Sequence, residues 1–355
     1  MKKMNSDLNS NTQPLRKHKI FNNWNIVTKG WYIALPSKEL KKGQVKTVHI
    51  NDVKIIVYRT EKGNIHSLDA FCPHMGVDLG LGKVEGEEIK CFFHHWKFDK
   101  NANCTDIPCK EEAPKNLKFS SYSTQEKYGY IWVWPESETK ETVLNIPALE
   151  GLNEDQIIFS QDKEFLRSCH YHTTMINGID PQHLSTVHNI NIDMNIDIDD
   201  SKKNHIEILL EGKFPTTNMK ERLGKVLLGE KYSYSMKYAD GCVASLTMLK
   251  GAKFLNRFKL PELHMIFAYS LVEEGKISVR PIYVNKKGKG ILGKITGKLK
   301  LLVTKAFFKS LQGEDGLVYE NIRFNTTAFL KMDEPIVKYI AHINKLEKSV
   351  WSKEI

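Results

Sequence analysis

Apolar and polar positions alternate in short runs through the first third of the chain. Residues 44–50 and 53–59 both alternate, with Asn51-Asp52 between them, which predicts a hairpin. Residues 64–68 and 88–92 read as further short strands, and the apolar run 130–134 reads as a strand closed by Pro135. An aromatic-rich stretch, 24–35, is ended by Pro36. Short strands with a turn every ~10 residues predict a small all-β domain, placed at 21–140 with the charged stretch 137–141 as the linker beyond it. The polar, basic residues 1–20 read as a mobile tail.

The pattern changes in the second half, 141–355. Residues 165–175 are strand-like and lead into a compact polar stretch, 177–188. Long alternating runs follow at 205–210, 232–238, 243–249, 265–271 and 277–284, which predict an antiparallel sheet with one buried face. Residues 291–311 have helical spacing and many lysines; 335–351 reads as a second helix with Pro335 in its first turn. The fold class is therefore α+β, an all-β domain followed by a sheet packed on helices. Residues 189–200 imitate the start of a calcium-binding loop, but Ile198 stands where Gly is needed and Asn204 replaces the closing Glu. The alternation of Ile190, Ile192, Met194, Ile196 and Ile198 predicts a strand or flap instead.

Composition narrows this picture only a little. With 355 residues there is room for two domains, and 41% hydrophobic with 26% charged residues is ordinary for a soluble globular chain. There is no apolar run long enough to span a bilayer and no signal-peptide h-region. Six cysteines are too few for a disulfide scaffold and suit a reducing compartment, so a cytoplasmic protein is expected. Cys104 and Cys109 read as ordinary buried thiols. The net charge of +10 favours acidic partners; the lysines are dispersed and no nucleic-acid motif accompanies them.

Candidate chemistry lies in two places. Cys72-Pro73-His74 and Cys91-Phe92-Phe93-His94 are two short hooks, each with one thiol and one imidazole, which can close on zinc or on a two-iron, two-sulfur cluster. Gly76, Gly80 and Gly82 allow tight turns beside them, and Phe92, Phe93, Trp96 and Phe98 are expected to form an apolar cover. The second place is 177–188, with Asn177, Asp180, His183 and His188; two His and a carboxylate can hold Fe(II) with positions left open. His183 and His188, five apart, would point about 140° away from each other on a regular helix. A π-bulge or a helix end must therefore intervene. His170 and His172, two apart on the expected strand, read as core or pocket histidines rather than a second metal site.

The hook spacing, C-x-H, sixteen residues, C-x-x-H, resembles the Rieske motif. Met75-Gly76 and His95-Trp96 stand where the cytochrome bc1 type carries extra cysteines, so the resemblance is to the Rieske oxygenases. Asp180, His183 and His188 in D-x-x-H-x-x-x-x-H, led by Asn177, resemble the mononuclear iron motif of the same family. The resemblance implies a helix-grip catalytic domain, a third iron ligand at Asp315 within 312–321 with Glu314 as runner-up, a [2Fe-2S] cluster on Cys72, His74, Cys91 and His94, and mononuclear Fe(II). It further implies a terminal oxygenase that uses O2, with electrons from a separate reductase, with or without a ferredoxin. A homotrimer is implied too, in which Asp180 accepts a hydrogen bond from the His183 ring and faces His94 of the next subunit. The hook region is most similar to 3-ketosteroid hydroxylases and sterol desaturases, implying a small apolar, steroid-like substrate. Small aromatic or alkaloid-like substrates stand as the alternative within the family, and an electron carrier or a zinc-binding interaction protein outside it. The lysine-rich helix is expected to be core-facing on one side, with membrane-surface contact as the alternative.

Overall fold

The computed structural model describes residues 19–109, 112, 114, 116–137, 152, 154–188, 193–213, 216–217, 219–255 and 257–353. The tail as far as residue 18, and most of the expected linker, lie outside them.

The hairpin at 44–59 forms as the alternation requires. Gln44–Ile50 and Val53–Arg59 pair antiparallel from Gln44 opposite Arg59 to Ile50 opposite Val53. Asn51 and Asp52 make the two-residue turn with φ of 51° and 66°, the left-handed pair that matches strand twist. These strands belong to a six-stranded sheet running Tyr32–Pro36, Tyr130–Trp134, Ser121–Lys127, Ile65–Asp69, Val53–Arg59, Gln44–Ile50. Alternate side chains of Val53–Arg59 serve two cores. Ile55 and Val57 join the main core shared with the second domain, whereas Ile56 and Tyr58 join a small core with Leu68, Leu79, Ile89 and Phe98. That small core underlies a four-stranded sheet, Lys83–Glu85, Glu88–Lys90, Lys97–Phe98, Cys104–Asp106, which carries the two hooks.

The second domain is an antiparallel sheet in the order Ile157–Gln161, Lys276–Lys286, Leu263–Glu273, Val243–Met248, Lys231–Ala239, His205–Lys213, Asp193–Lys202; Phe165–Arg167 also pairs with Lys276–Lys286. Every alternating run expected in this half is a strand of it, and 193–202 is a strand rather than a calcium loop. Among the described residues five α-helices accompany it: α1 (Tyr171–Asn177), α2 (Pro181–Thr186), α3 (Met219–Leu228), α4 (Gly290–Asn321) and α5 (Glu334–Ile343). At 32 residues α4 is about 48 Å long and lies against Ile157–Gln161, Leu263–Glu273 and Lys276–Lys286.

Several expectations are corrected. The strand at 165–175 stops at Arg167, and 171–177 is helical; the His170 side chain caps α1 by accepting from the His172 N–H at 3.2 Å. Tertiary burial of Tyr171, Met175 and Ile176 overrides the β-branched, strand-like composition. The second helix ends at Ile343 rather than 351, because the chain turns to let the Ser349 N–H donate to Val27 at 2.7 Å. Ile20, assigned to the tail, is fully buried, and residues 20–28 dock on the second domain: Phe21 N–H donates to Asn344 Oδ1 and Val27 N–H to Ser352 Oγ. Cys104 is half-buried and Cys109 exposed, and neither is in a disulfide.

Candidate metal centres

The first hook follows the strand Ile65–Asp69, and the second interrupts Glu88–Lys90 and Lys97–Phe98. The Cys72 N–H donates to Val77 and the Cys91 N–H to Trp96, so each hook closes on its own backbone. Gly76 turns the first with φ of 75°. Gly82 is needed for a different reason: a Cβ there would stand 2.3 Å from the Lys90 carbonyl oxygen. Asp78 anchors the loop, accepting from the Gly80 N–H and the Thr47 hydroxyl at 2.8 Å each and pairing with Lys54 at 2.8 Å.

Cys72 and Cys91 are buried, unpaired thiols that interact with each other, and burial pushes the Cys72 thiol up to about 11. The His74 and His94 rings are exposed, with centroids 4.7 Å apart. Two thiols inside and two imidazoles outside, all at one place, fit a cluster with one iron on each ligand type. The expected apolar cover is only partly made. Trp96 stacks on His74 at 4.4 Å and Phe98 is buried beneath, but Phe92 and Phe93 are 67% and 53% exposed. Phe71 and Met75 are exposed on the same hooks. The two imidazoles therefore sit on a surface rich in uncovered apolar side chains.

The second centre is built by α2 and α4. Asp180 caps α2, its Oδ1 accepting from the backbone N–H of Gln182 and His183, with Pro181 in the first turn. His183 lies within the helix, and the helix ends at Thr186, so His188 comes off regular backbone and swings back. This resolves the 140° problem by a helix end rather than a bulge. From the far side α4 supplies Asp315. His183 Nε2 stands 3.0 Å from His188 Nε2 and 2.9 Å from Asp315 Oδ1; His188 Nε2 stands 3.2 Å from Asp315 Oδ1. Donors held at right angles about one ion with bonds of about 2.1 Å are about 3.0 Å apart, so the triangle has the dimensions of three adjacent ligands. Asp315 Oδ1 is buried without a well-formed hydrogen bond, as expected of an atom turned toward a shared ion. Among the described residues this is the one group of three or more such side chains whose ligand atoms converge.

Burial pushes the Asp315 carboxyl up, but the two imidazoles beside it overcome this and hold it down near about 2. The Asp315 carboxylate, opposed by burial and helped by Glu314, raises His188. Glu314 is not in the triangle. Its Oε2 meets His188 Nδ1 at 2.5 Å, on the ring edge facing away from Asp315, and so fixes the ring orientation. Sequence reasoning offered Glu314 only as an alternative ligand; its place as ring partner follows from its neighbour already occupying the triangle. Asn177 reaches the same point, with Nδ2 2.8 Å from His183 Nε2. Among the described residues the expected bond from the His183 ring to Asp180 does not form; Asp180 Oδ1 accepts from the backbone of α2 instead. His170 and His172 are core groups. Burial lowers both, and His172 Nδ1 accepts from the Asn22 N–H at 3.0 Å while its ring stacks on Phe21.

The triangle ends a cavity of about 140 Å³ lined mainly by apolar side chains, among them Leu246, Met248, Phe267, Val279, Phe308 and Leu311, with Arg167, Thr174, Asn177 and Gln312 among its polar points. Leu246 and Met248, and Phe267 and Tyr269, come from the strands expected to line a pocket, on one alternating face. Ser245, Thr247 and His264, on the opposite face of the same strands, line a wider, solvent-open, lysine-lined cleft of about 590 Å³ that contains none of the three.

Comparison with known proteins bears on the domain that carries the hooks and on the overall fold. Residues 30–123 match the Rieske [2Fe-2S] domain family, so the chain carries a Rieske domain at those residues. Cholesterol 7-desaturase of Drosophila melanogaster is 33% identical over 164 residues, 46% of this chain and 38% of that protein. The oxygenase component of 3-ketosteroid-9-alpha-monooxygenase from Rhodococcus rhodochrous is 35% identical over 130 residues, 36% of this chain and 34% of that one. The chain thus spans well under half the length of these curated relatives. Dicamba monooxygenase bound to dicamba shares the fold with a TM-score of 0.63 at 18% identity, over 90% of this chain and 98% of that one. Pseudomonas putida CBB5 NdmB shares it with a TM-score of 0.65 at 16% identity, over 92% and 93%. Among the described residues no helix is long and apolar enough to cross a membrane.

Proposed function

We propose that this chain is the terminal oxygenase of a Rieske non-haem iron system. The observation that carries the reading is the meeting of His183, His188 and Asp315 at the end of an apolar cavity, in a chain that also bears Rieske hooks. A [2Fe-2S] cluster on Cys72, His74, Cys91 and His94 would supply single electrons, and Fe(II) on His183, His188 and Asp315 would activate O2. The chain's own residues do the rest. Glu314 holds the His188 ring, Asp180 starts the helix that carries His183, and Asn177 places an amide at the mouth of the metal position. The mainly apolar lining keeps water from the substrate and favours an apolar ring.

No dinucleotide fingerprint follows a strand in the sequence, so the reading calls for a separate reductase, with or without a ferredoxin. Six free thiols support a cytoplasmic setting. A ring of identical subunits, a homotrimer, belongs to the same reading. It is supported by the exposed Phe71, Met75, Phe92 and Phe93 around the cluster histidines, a surface that a neighbouring subunit would cover. Asp180 keeps its second carboxylate oxygen available to such a neighbour.

The relatives named for cholesterol and 3-ketosteroids favour a steroid-like substrate. The volume favours the other choice, since 140 Å³ is below the ~300 Å³ at which ligand pockets begin. A steroid requires the lining to open; a small aromatic ring needs less. The test is metal analysis followed by turnover with a surrogate reductase. About three irons per chain and hydroxylated, desaturated or demethylated product support the oxygenase. Two irons and no product on any substrate would make it an electron carrier, and zinc without a visible cluster would remove the reading.

A further inference from the structure

Helix α4 has two apolar faces. Its inner face buries Gly297, Leu301 and Thr304, and lower down Phe307, Phe308 and Leu311 wall the cavity. At about 100° per residue the opposite side carries Ile291, Leu292, Ile295, Leu299, Leu302 and Val303. These six side chains are 51–80% exposed. An amphipathic helix on a globular core would place polar groups there. Lysines line the borders of this stripe: Lys294 and Lys298 on one side, Lys300 on the other. From 290 to 313 the helix has five lysines and no carboxylate.

We propose that the outer face of α4 docks the protein on the surface of an anionic lipid bilayer. Three observations select this occupant. The stripe is aliphatic, without the aromatic and arginine anchors that mark protein interfaces, and lysine, which those interfaces avoid, surrounds it. Apolar residues entering between headgroups, with ammonium groups at headgroup level on both sides, are the arrangement of a helix lying in the interface plane. The charge is of one sign, complementary to phosphatidylserine or phosphatidylglycerol. The helix lies on the surface rather than spanning it. Because the same helix walls the cavity, docking would set the cavity one helix diameter from the reservoir in which an apolar ligand partitions. The docking stands on surface chemistry and is independent of the oxygenase reading.

The test is flotation of the full-chain holoprotein with vesicles of phosphatidylcholine alone or with about 30% phosphatidylserine. The protein should float with the anionic vesicles and leave them at high salt. Ile295→Glu with Leu299→Glu should weaken binding at least about tenfold, and Lys294→Glu with Lys298→Glu should remove the preference for anionic vesicles. Both variants should keep the visible cluster spectrum and circular dichroism of the parent, since neither pair is buried. Absence of flotation, equal binding to both vesicle types, or binding unchanged in the variants would overturn the proposal. So would a lipid-free oligomer that the Ile295→Glu, Leu299→Glu protein fails to form, because the face would then belong to a second copy.

Discussion

Glu314 offers a quantitative test of how the iron position is held. Its carboxylate touches no ligand atom of the triangle, only the remote Nδ1 of His188, at 2.5 Å. Groups that hold a ligand imidazole from behind typically contribute 10–100-fold to metal affinity. The Glu314 side chain is 52% exposed, so water can replace much of a lost acceptor, and the low end applies. Glu314→Ala should therefore weaken Fe(II) or Co(II) binding about tenfold, ~1.4 kcal/mol. Glu314→Gln keeps an acceptor oxygen but loses the charge, and should cost only a few-fold. Asp315→Ala removes a corner of the triangle and should weaken binding well beyond either. The assay is anaerobic competition of metal-depleted protein against a chelator, with the cluster absorbance, which depends on other residues, reporting that the fold is intact. Parental affinity in Glu314→Ala would refute the positioning role. Equal losses in Glu314→Ala and Asp315→Ala would refute the assignment of Asp315 to the triangle.

Leu246→Trp, on the cavity-lining face, should block ligand binding and turnover while leaving metal content unchanged; unaltered KM would place the substrate elsewhere. Asp78→Ala removes acceptors for the Gly80 N–H and the Thr47 hydroxyl and the partner of Lys54. It should cost about 1–2 kcal/mol, seen as earlier thermal loss of cluster absorbance. Stability should also fall in acid. Burial holds His170 down to about 3 and His172 well below its ordinary value, so between pH ~6.5 and ~3 the unfolded chain takes up protons that the folded chain refuses. For His170 the loss is about 1.4 kcal/mol per pH unit across that window, and His172 adds in the same direction. His170→Asn keeps a good N-cap and should flatten the acid limb of a pH series of denaturant titrations; an unchanged slope would refute the assignment.

What was legible in the sequence was local. The hairpin at 44–59 was fixed by two alternating runs and an Asn-Asp turn, and the sheet of the second domain by period-two patterning over long strands. The hooks were legible because each thiol lies within three residues of its imidazole, so the spacing alone brings them together. His183 and His188 were legible as a pair for the same reason, though the helix end between them was only one of two options. Asp315 was reached by resemblance, since 127 residues separate it from His188 and nothing in its own neighbourhood points to a metal.

Tertiary structure decided the remainder. It made 171–177 a helix, because buried packing outweighs weak local preference. It tied residues 20–28 to the far domain, which no local pattern signals. It gave adjacent carboxylates separate places: helical rotation of about 100° per residue turns Asp315 into the triangle and leaves Glu314 behind the His188 ring. It also left the hook phenylalanines and the outer stripe of α4 uncovered. Hydrophobic periodicity says that a face is apolar; only the packed chain shows whether anything lies against it.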